Sequence, residues 1–321
     1  MIELTESETE IILTLSSRIS ADPSDDPELF CKQAKELSCE IPERIRDILH
    51  DFVSVNSLNH DFLLFKNVPV NNVPVNNVPV TPVTNNIGEK TVLAKVQSIL
   101  IHVMGEMISY EAEGYGRLFQ DVIPVKTMAK NQTSIGSNVE LEIHTEQAFS
   151  KLRPDILSLA CIRGDPEAYT YILPLYEITN HISSDELDLL SQPLWKTGVD
   201  LSFKLNGQEF IEGDIRGPLA IIQGTEDPFL VFDQDLMVGI TEEADDIIKK
   251  IIDIYHRYRL EHNLVSGEIL FINNRRVVHG RSPFFPKYNG FDRFLVRCFA
   301  VFDYESSAYA RKGRMVQAIY S

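Results

Sequence analysis

Cysteine, tryptophan and long apolar runs are scarce in this sequence, and each scarcity excludes something. The 321 residues contain four cysteines and one tryptophan. Cys31, Cys39, Cys161 and Cys298 form no CxxC pair, and the chain opens MIELTESETE rather than on a basic and then apolar leader. A disulfide framework and a secretory signal are therefore not expected, and the thiols read as packing residues of a cytoplasmic protein. No apolar run reaches the roughly 18–20 residues that span a bilayer. Cationic side chains are outnumbered: 30 Lys and Arg stand against 47 Asp and Glu, a net charge of −17. A surface of that sign repels nucleic acid and anionic membranes and favours a small cationic partner. A homo-oligomer is compatible with all of this.

Apolar material is plentiful. Hydrophobic residues make up 44% of the chain and charged ones 24%, enough for a sizeable core and too little charge for disorder. Residues 1–60 read as helices. Thr5 with Glu8 forms a capping-box pattern, Asp26-Pro27 opens a second helix, and Pro42 opens a third with Ile45, Ile48, Leu49 and Phe52 on one face. Residues 61–65 read as a strand. The five-residue repeat NVPVNNVPVNNVPV at 67–80 places proline where neither a helix nor a central strand tolerates it, so 67–86 reads as a Pro/Asn-rich loop. Helical spacing returns over 90–111, with Val92, Val96, Ile99, Leu100, Val103 and Met104 on one side, and again over 241–262, with Ile247, Ile248, Ile251, Ile252 and Tyr255 inward.

Between and after these helices the period is two. Val139, Leu141 and Ile143 alternate with charged residues in a half-buried strand that runs into His144. Further strands are expected at 156–162, 219–222, 229–232, 269–272 and 294–302, with Asn206-Gly207 as a hairpin turn. Many short strands framed by helices, without βαβ alternation, predict a mainly β fold with flanking helices, a sandwich or jelly roll.

The sharpest chemical feature is His144-Thr145-Glu146 at the end of a strand. Residues i and i+2 of a strand share a face, so both side chains can reach one metal. His279 follows another strand-like stretch, FINNRRVVHG, and offers a third ligand. Two imidazoles and a carboxylate leave coordination positions open, as in the facial triad of non-haem iron(II) oxygenases. An HxE pair with a distant histidine also arises by chance. Beyond His279, Arg293 and Arg297 lie on one face of the apolar segment FDRFLVRCFAVFD. A buried arginine is costly without an anion, and its fork suits a carboxylate, either on a bound acid or in a structural salt bridge.

The segments HTE at 144–146, LSLACIRGDPEAYT at 157–170, FDQDLM at 232–237, VVHGRSPF at 277–284 and YNGFDRFLVRCF at 288–299 resemble the clavaminate synthase-like iron(II)/2-oxoglutarate oxygenases. Within that group the chain is most similar to hydroxylases of free arginine, asparagine and lysine. The resemblance covers about 90–305. It implies a single oxygenase domain whose core is a distorted jelly roll, a double-stranded β-helix. It implies iron held by His144, Glu146 and His279, with 2-oxoglutarate and O₂ as co-substrates. Arg293 would take the distal carboxylate of 2-oxoglutarate with help from Thr170, and Arg297 the substrate α-carboxylate. Asp233 and Asp235 would face the cationic end of the substrate, although they also fit a solvated acidic turn. Glu113, Ser134 and the second oxygen of Glu146 would meet the α-amino group.

On this reading the chain hydroxylates free L-lysine, at C4 in preference to C3, with succinate and CO₂ as the other products. Free L-arginine, ornithine or asparagine are alternative substrates. A metal-free, cupin-like binder of small acids is the alternative outside catalysis. The remaining histidines, Trp195, Tyr255 and Tyr258 read as surface or packing residues.

Overall fold

The computed structural model describes residues 1–54, 61–70, 86–200 and 215–320. Most of the repeat at 67–80 and the Asn206-Gly207 turn lie outside these described residues.

The first three helices are Glu6–Ser17, Pro27–Ser38 and Glu43–Phe52, and they start where the sequence places them. Thr5 and Glu8 close a reciprocal capping box, and the Asp26 side chain accepts from the Leu29 amide. These helices gather around Val92–Met104, whose Leu93, Val96, Ile99, Leu100 and Ile101 are fully buried. Each such side chain contributes on the order of 1.5–3 kcal/mol by leaving water.

This fourth helix stops at Met104, short of the expected 111, because the chain must turn into a strand. A Cβ on Gly105 would lie 2.4 Å from the Val301 carbonyl oxygen, so only glycine lets the helix end approach that strand. Glu106–Tyr110 then pairs antiparallel with Phe294–Val301, and its apolar residues serve both periods equally well. A similar correction applies downstream. The helix expected over 241–262 runs from Glu242 to Tyr258, and Leu260–Asn263 is a strand. Ile254 is buried in that helix, while Ile252 is only partly covered.

Two sheets organise the molecule. In the larger, the pairing order is Ile2–Glu3, Phe62–Lys66, Ile269–Asn273, Ile156–Arg163, Phe294–Val301, Glu106–Tyr110, Met315–Val316 and Arg311–Lys312, with Phe119–Val122 also pairing with Phe294–Val301. The smaller has four strands in the order Leu260–Asn263, Tyr169–Pro174, Val277–Arg281 and Leu141–His144. The stretch expected as one strand at 219–222 belongs instead to two, Ile215–Leu219 and Ile222–Gln223, and Phe229–Leu230 is shorter than expected.

The alternation of side chains assigns the faces. Phe294, Val296, Cys298 and Ala300 pack with the N-terminal helices, and Leu295 and Phe299 face the smaller sheet beside Ile172 and Val277. On the smaller sheet, Ile143, Tyr171, Leu173 and Val278 turn the other way, against Glu242–Tyr258. Arg297, His279, Thr170 and His144 share the parity that points between the sheets. There the apolar core gives way to polar residues.

Candidate active site

A cavity of about 350 Å³ lies between the sheets, and all ten residues singled out from the sequence line it. They come from separate parts of the fold: Glu113 and Ser134 from loops, His144 and Glu146 from the end of Leu141–His144, and Thr170 from Tyr169–Pro174. Asp233 and Asp235 lie in a turn, His279 on Val277–Arg281, and Arg293 and Arg297 at and within Phe294–Val301.

His144 and His279 are direct partners in the antiparallel ladder, with ring centroids 4.6 Å apart. Glu146 Oε1 lies 3.3 Å from His279 Nε2 and 3.9 Å from His144 Nε2. Donors bound to one first-row ion at about 2.1 Å stand roughly 3–4 Å apart, so these groups fit a shared metal. One ligand atom from each of the three falls within 4.8 Å of the others. His144 Nδ1 sits 2.8 Å from the Glu142 carbonyl oxygen, which fixes the tautomer and frees Nε2. Burial would raise the Glu146 carboxyl, but Arg297 and the two histidines hold it down at about 2. Burial and His144 hold the His279 imidazole below its usual range, which favours the neutral form that can ligate.

The two arginines differ. Arg293 is 5% exposed and, among the described residues, has neither a hydrogen bond nor an ion pair. Burial lowers its guanidinium to about 10. Thr170 Oγ1 is buried on the same cavity wall and also lacks a partner. Thr170 is flanked by Tyr171, which packs against Tyr255, and by the largely exposed Tyr169, so only position 170 faces inward. Two unanswered donors in a cavity have the chemistry to meet an anion.

Arg297 already has a counter-charge. Its Nη2 donates to Glu113 Oε1 and to Gln120 Oε1, both at 2.5 Å, and its Nε donates to Gln120 Oε1. Nη1 lies 3.6 Å from Glu146 Oε1. Glu113 also accepts from Gln147 Nε2. The residue expected at the α-amino group is thus tied to the residue expected at the α-carboxylate, and both ends of an amino acid would meet one polar cluster.

Asp233 and Asp235 do not stand side by side on an extended segment, as their spacing allowed. Asp233 bridges to His144 and turns the chain, accepting from the Leu236 amide through Oδ1. It is buried, and Asp235 is exposed at the rim. Burial raises the Asp233 carboxyl, and burial with Asp235 and Asp233 raises Glu142. Carboxylates held together without a cation repel, and a bound cation would relieve them.

Among the lining residues that sequence reasoning missed, four bear on the site's chemistry. Asp200 is partly buried, and burial with Asp233, Glu113 and Glu146 pushes its carboxyl well above the usual range. Glu142 looked like the solvent side of a strand. Gln120 buries an unpartnered Nε2. Tyr115 stands 54% exposed at the mouth, in a turn where Gly114, Tyr115 and Gly116 all have positive φ. None carries a local motif; only the i, i+2 relation of Glu142 to His144 was readable.

The chain is similar in sequence and in fold to known proteins. The family described as taurine catabolism dioxygenase TauD, TfdA family matches residues 32–299. An L-lysine 3-hydroxylase of Catenulispora acidiphila is 42% identical over all of this chain and 90% of its own length. An L-lysine 4-hydroxylase of Chitinophaga pinensis is 28% identical over 63% of this chain and 54% of its own. The crystal structure of an asparagine oxygenase in complex with Fe(II), 3-hydroxyasparagine and succinate superposes with a TM-score of 0.87, at 27% identity over 98% of each chain.

Proposed function

The chain belongs to the TauD/TfdA dioxygenase family and is an iron- and 2-oxoglutarate-dependent amino acid hydroxylase, and on that premise we propose that its substrate is free L-lysine, hydroxylated at C3. The observation that carries the metal chemistry is the cluster of His144, Glu146 and His279 beside the unanswered Arg293. We read the chain as one oxygenase domain and the two sheets as a distorted jelly roll. The alternative of a metal-free binder does not fit a dioxygenase family member with these donors.

Iron held by the three ligands supplies the redox chemistry that couples C–H hydroxylation to oxidative decarboxylation: substrate, 2-oxoglutarate and O₂ give hydroxylated substrate, succinate and CO₂. The chain's own residues bind and orient. Arg293 and Thr170 receive the distal carboxylate of 2-oxoglutarate, so its keto acid end faces the ligand cluster. Nη1 of Arg297 and the unpartnered amide of Gln120 offer donors to the substrate α-carboxylate. Glu113, Ser134 and Glu146 are acceptors for the α-amino group. Asp233, Asp235, Asp200 and Glu142 form the negative end that takes the ammonium. Walls of Leu157, Leu159 and Leu295 exclude water on the co-substrate side.

The position on the substrate follows from the anchor. Arg297 Nη1 lies 3.6 Å from the ligand Glu146, so the carboxylate end of the amino acid sits beside the metal. That favours C3 over the C4 preferred from sequence, and the 42% identical relative is named a 3-hydroxylase. The test is succinate formation with iron(II), 2-oxoglutarate and each free amino acid, with the hydroxyl located by NMR. Lysine is expected to turn over ahead of arginine and ornithine; no turnover with lysine removes the substrate, and a hydroxyl at C4 removes the regiochemistry.

Asp233→Asn is expected to raise KM for lysine by about 10- to 100-fold with a smaller change in kcat, because a desolvated charge partner is lost. KM of the native enzyme should also rise as pH falls through the raised Asp233 value, since protonation cancels the charge that attracts the ammonium. The variant should lose that limb. Steady-state kinetics across pH with an unchanged limb in the variant would assign it to another acid.

A further inference from the structure

We infer that Asn274 is a positioning residue for the metal-binding carboxylate: its side chain clamps the backbone of Glu146 and so sets the direction of the Glu146 side chain. This rests on the reading of His144, Glu146 and His279 as iron ligands.

Glu146 lies beyond the end of Leu141–His144, where the strand ladder no longer holds the chain. Thr145 is fixed by its amide donating to the Phe232 carbonyl oxygen at 2.8 Å. One residue after Glu146, Gln147 takes a φ of 53°, an unfavoured left-handed conformation for a residue with a Cβ. Between them the backbone of Glu146 is gripped from both sides. Its amide donates to Asn274 Oδ1 at 2.7 Å, and its carbonyl oxygen accepts from Asn274 Nδ2 at 3.1 Å. The second Nδ2 proton goes to the Pro154 carbonyl oxygen at 2.8 Å, and the Asn274 amide donates to the Asp155 carbonyl oxygen at 2.8 Å. Asn274 is fully buried.

A carboxamide thus does the work of a missing neighbouring strand, presenting one donor and one acceptor to a single residue. It sits in the short turn that joins Ile269–Asn273 of the larger sheet to Val277–Arg281 of the smaller one, the strand that carries His279. One short stretch of chain therefore supplies one ligand and orients another. Without the clamp the Glu146 amide and carbonyl are buried and unsatisfied, and the segment is free to rotate out of its strained path. Aspartate at 274 keeps the size but sets an acceptor against two carbonyl oxygens.

The experiment is Mn(II) titration of the full-length chain and of Asn274→Ala and Asn274→Asp, with unfolding midpoints of the metal-free proteins and the ratio of succinate to hydroxylated product. Both variants are expected to bind Mn(II) about 10- to 100-fold more weakly, as when a ligand's supporting hydrogen bonds are lost. They should also form succinate in excess of product. A lowered unfolding midpoint with Mn(II) affinity and coupling unmoved means a purely structural asparagine and overturns the inference. Failure of the native chain to bind Mn(II) would instead overturn the ligand assignment beneath it. Should neither variant fold, amide hydrogen exchange of the native metal-free chain decides: the Glu146 amide is expected to be strongly protected, and fast exchange there overturns the clamp.

Discussion

His279→Ala is expected to abolish stable iron binding and to lower kcat/KM for the amino acid by more than about 10³-fold, beyond the roughly 10- to 100-fold cost of disturbing a ligand's supporting contacts. The reason is geometric. His279 Nε2 is the donor nearest Glu146 Oε1, at 3.3 Å, and its ring faces that of His144 across the ladder. Alanine leaves one imidazole and one carboxylate, a pair that does not enclose an ion. The strand itself should persist, since Val277 and Val278 on either face of the sheet are fully buried and hold it in place. Metal content after anaerobic purification and succinate formation check this. A variant that keeps a full complement of iron and native turnover would sink the triad.

Arg293→Met is expected to separate stability from function. Binding of 2-oxoglutarate should weaken by about 2–5 kcal/mol, or roughly 30- to 5000-fold, because the keto acid's distal carboxylate loses its buried partner. The free protein should become more stable by about 1–4 kcal/mol, since a buried charge without a counter-ion is replaced by an apolar side chain of similar length. The sign follows from the lowered guanidinium value of about 10. The charged form is less favoured folded than unfolded, so the cost is fully present below that pH and fades as pH rises through it. Urea unfolding without ligand tests the gain. The stabilisation that 2-oxoglutarate confers on the metal-loaded native protein, and its disappearance in the variant, tests the loss. A less stable variant with undiminished affinity would place Arg293 in a structural network.

The proposed metal ligands were legible because a strand imposes its own geometry. In His144-Thr145-Glu146 the spacing of two puts both donors on one face whatever surrounds them, and the apolar alternation before it marks the strand. Arg293 and Arg297 were legible for a related reason, as charges within an apolar run. The residue pattern by itself did not separate their roles; only the family resemblance assigned them. Arg297 is answered by Gln120 on the adjacent strand Phe119–Val122 and by Glu113 from the loop before it, and among the described residues Arg293 has no such neighbour. Helix ends at Gly105 and after Tyr258 were misjudged because Glu106–Tyr110 and Leu260–Asn263 carry patterns that suit either period. Their partners in the sheets decided them.

Local order was thus determined by the sequence itself: the capped N-terminal helices, the alternating strands, and three side chains whose chemistry suits a metal. Distance along the chain carries no information about distance in space, so the tertiary structure alone decided which groups meet. It set His144 opposite His279, placed Asp200 and Glu142 beside Asp233, and turned Asn274 onto the backbone of Glu146. These juxtapositions follow from strand register and from the burial of both sheets, and they are long-range consequences of packing that no window of neighbouring residues encodes.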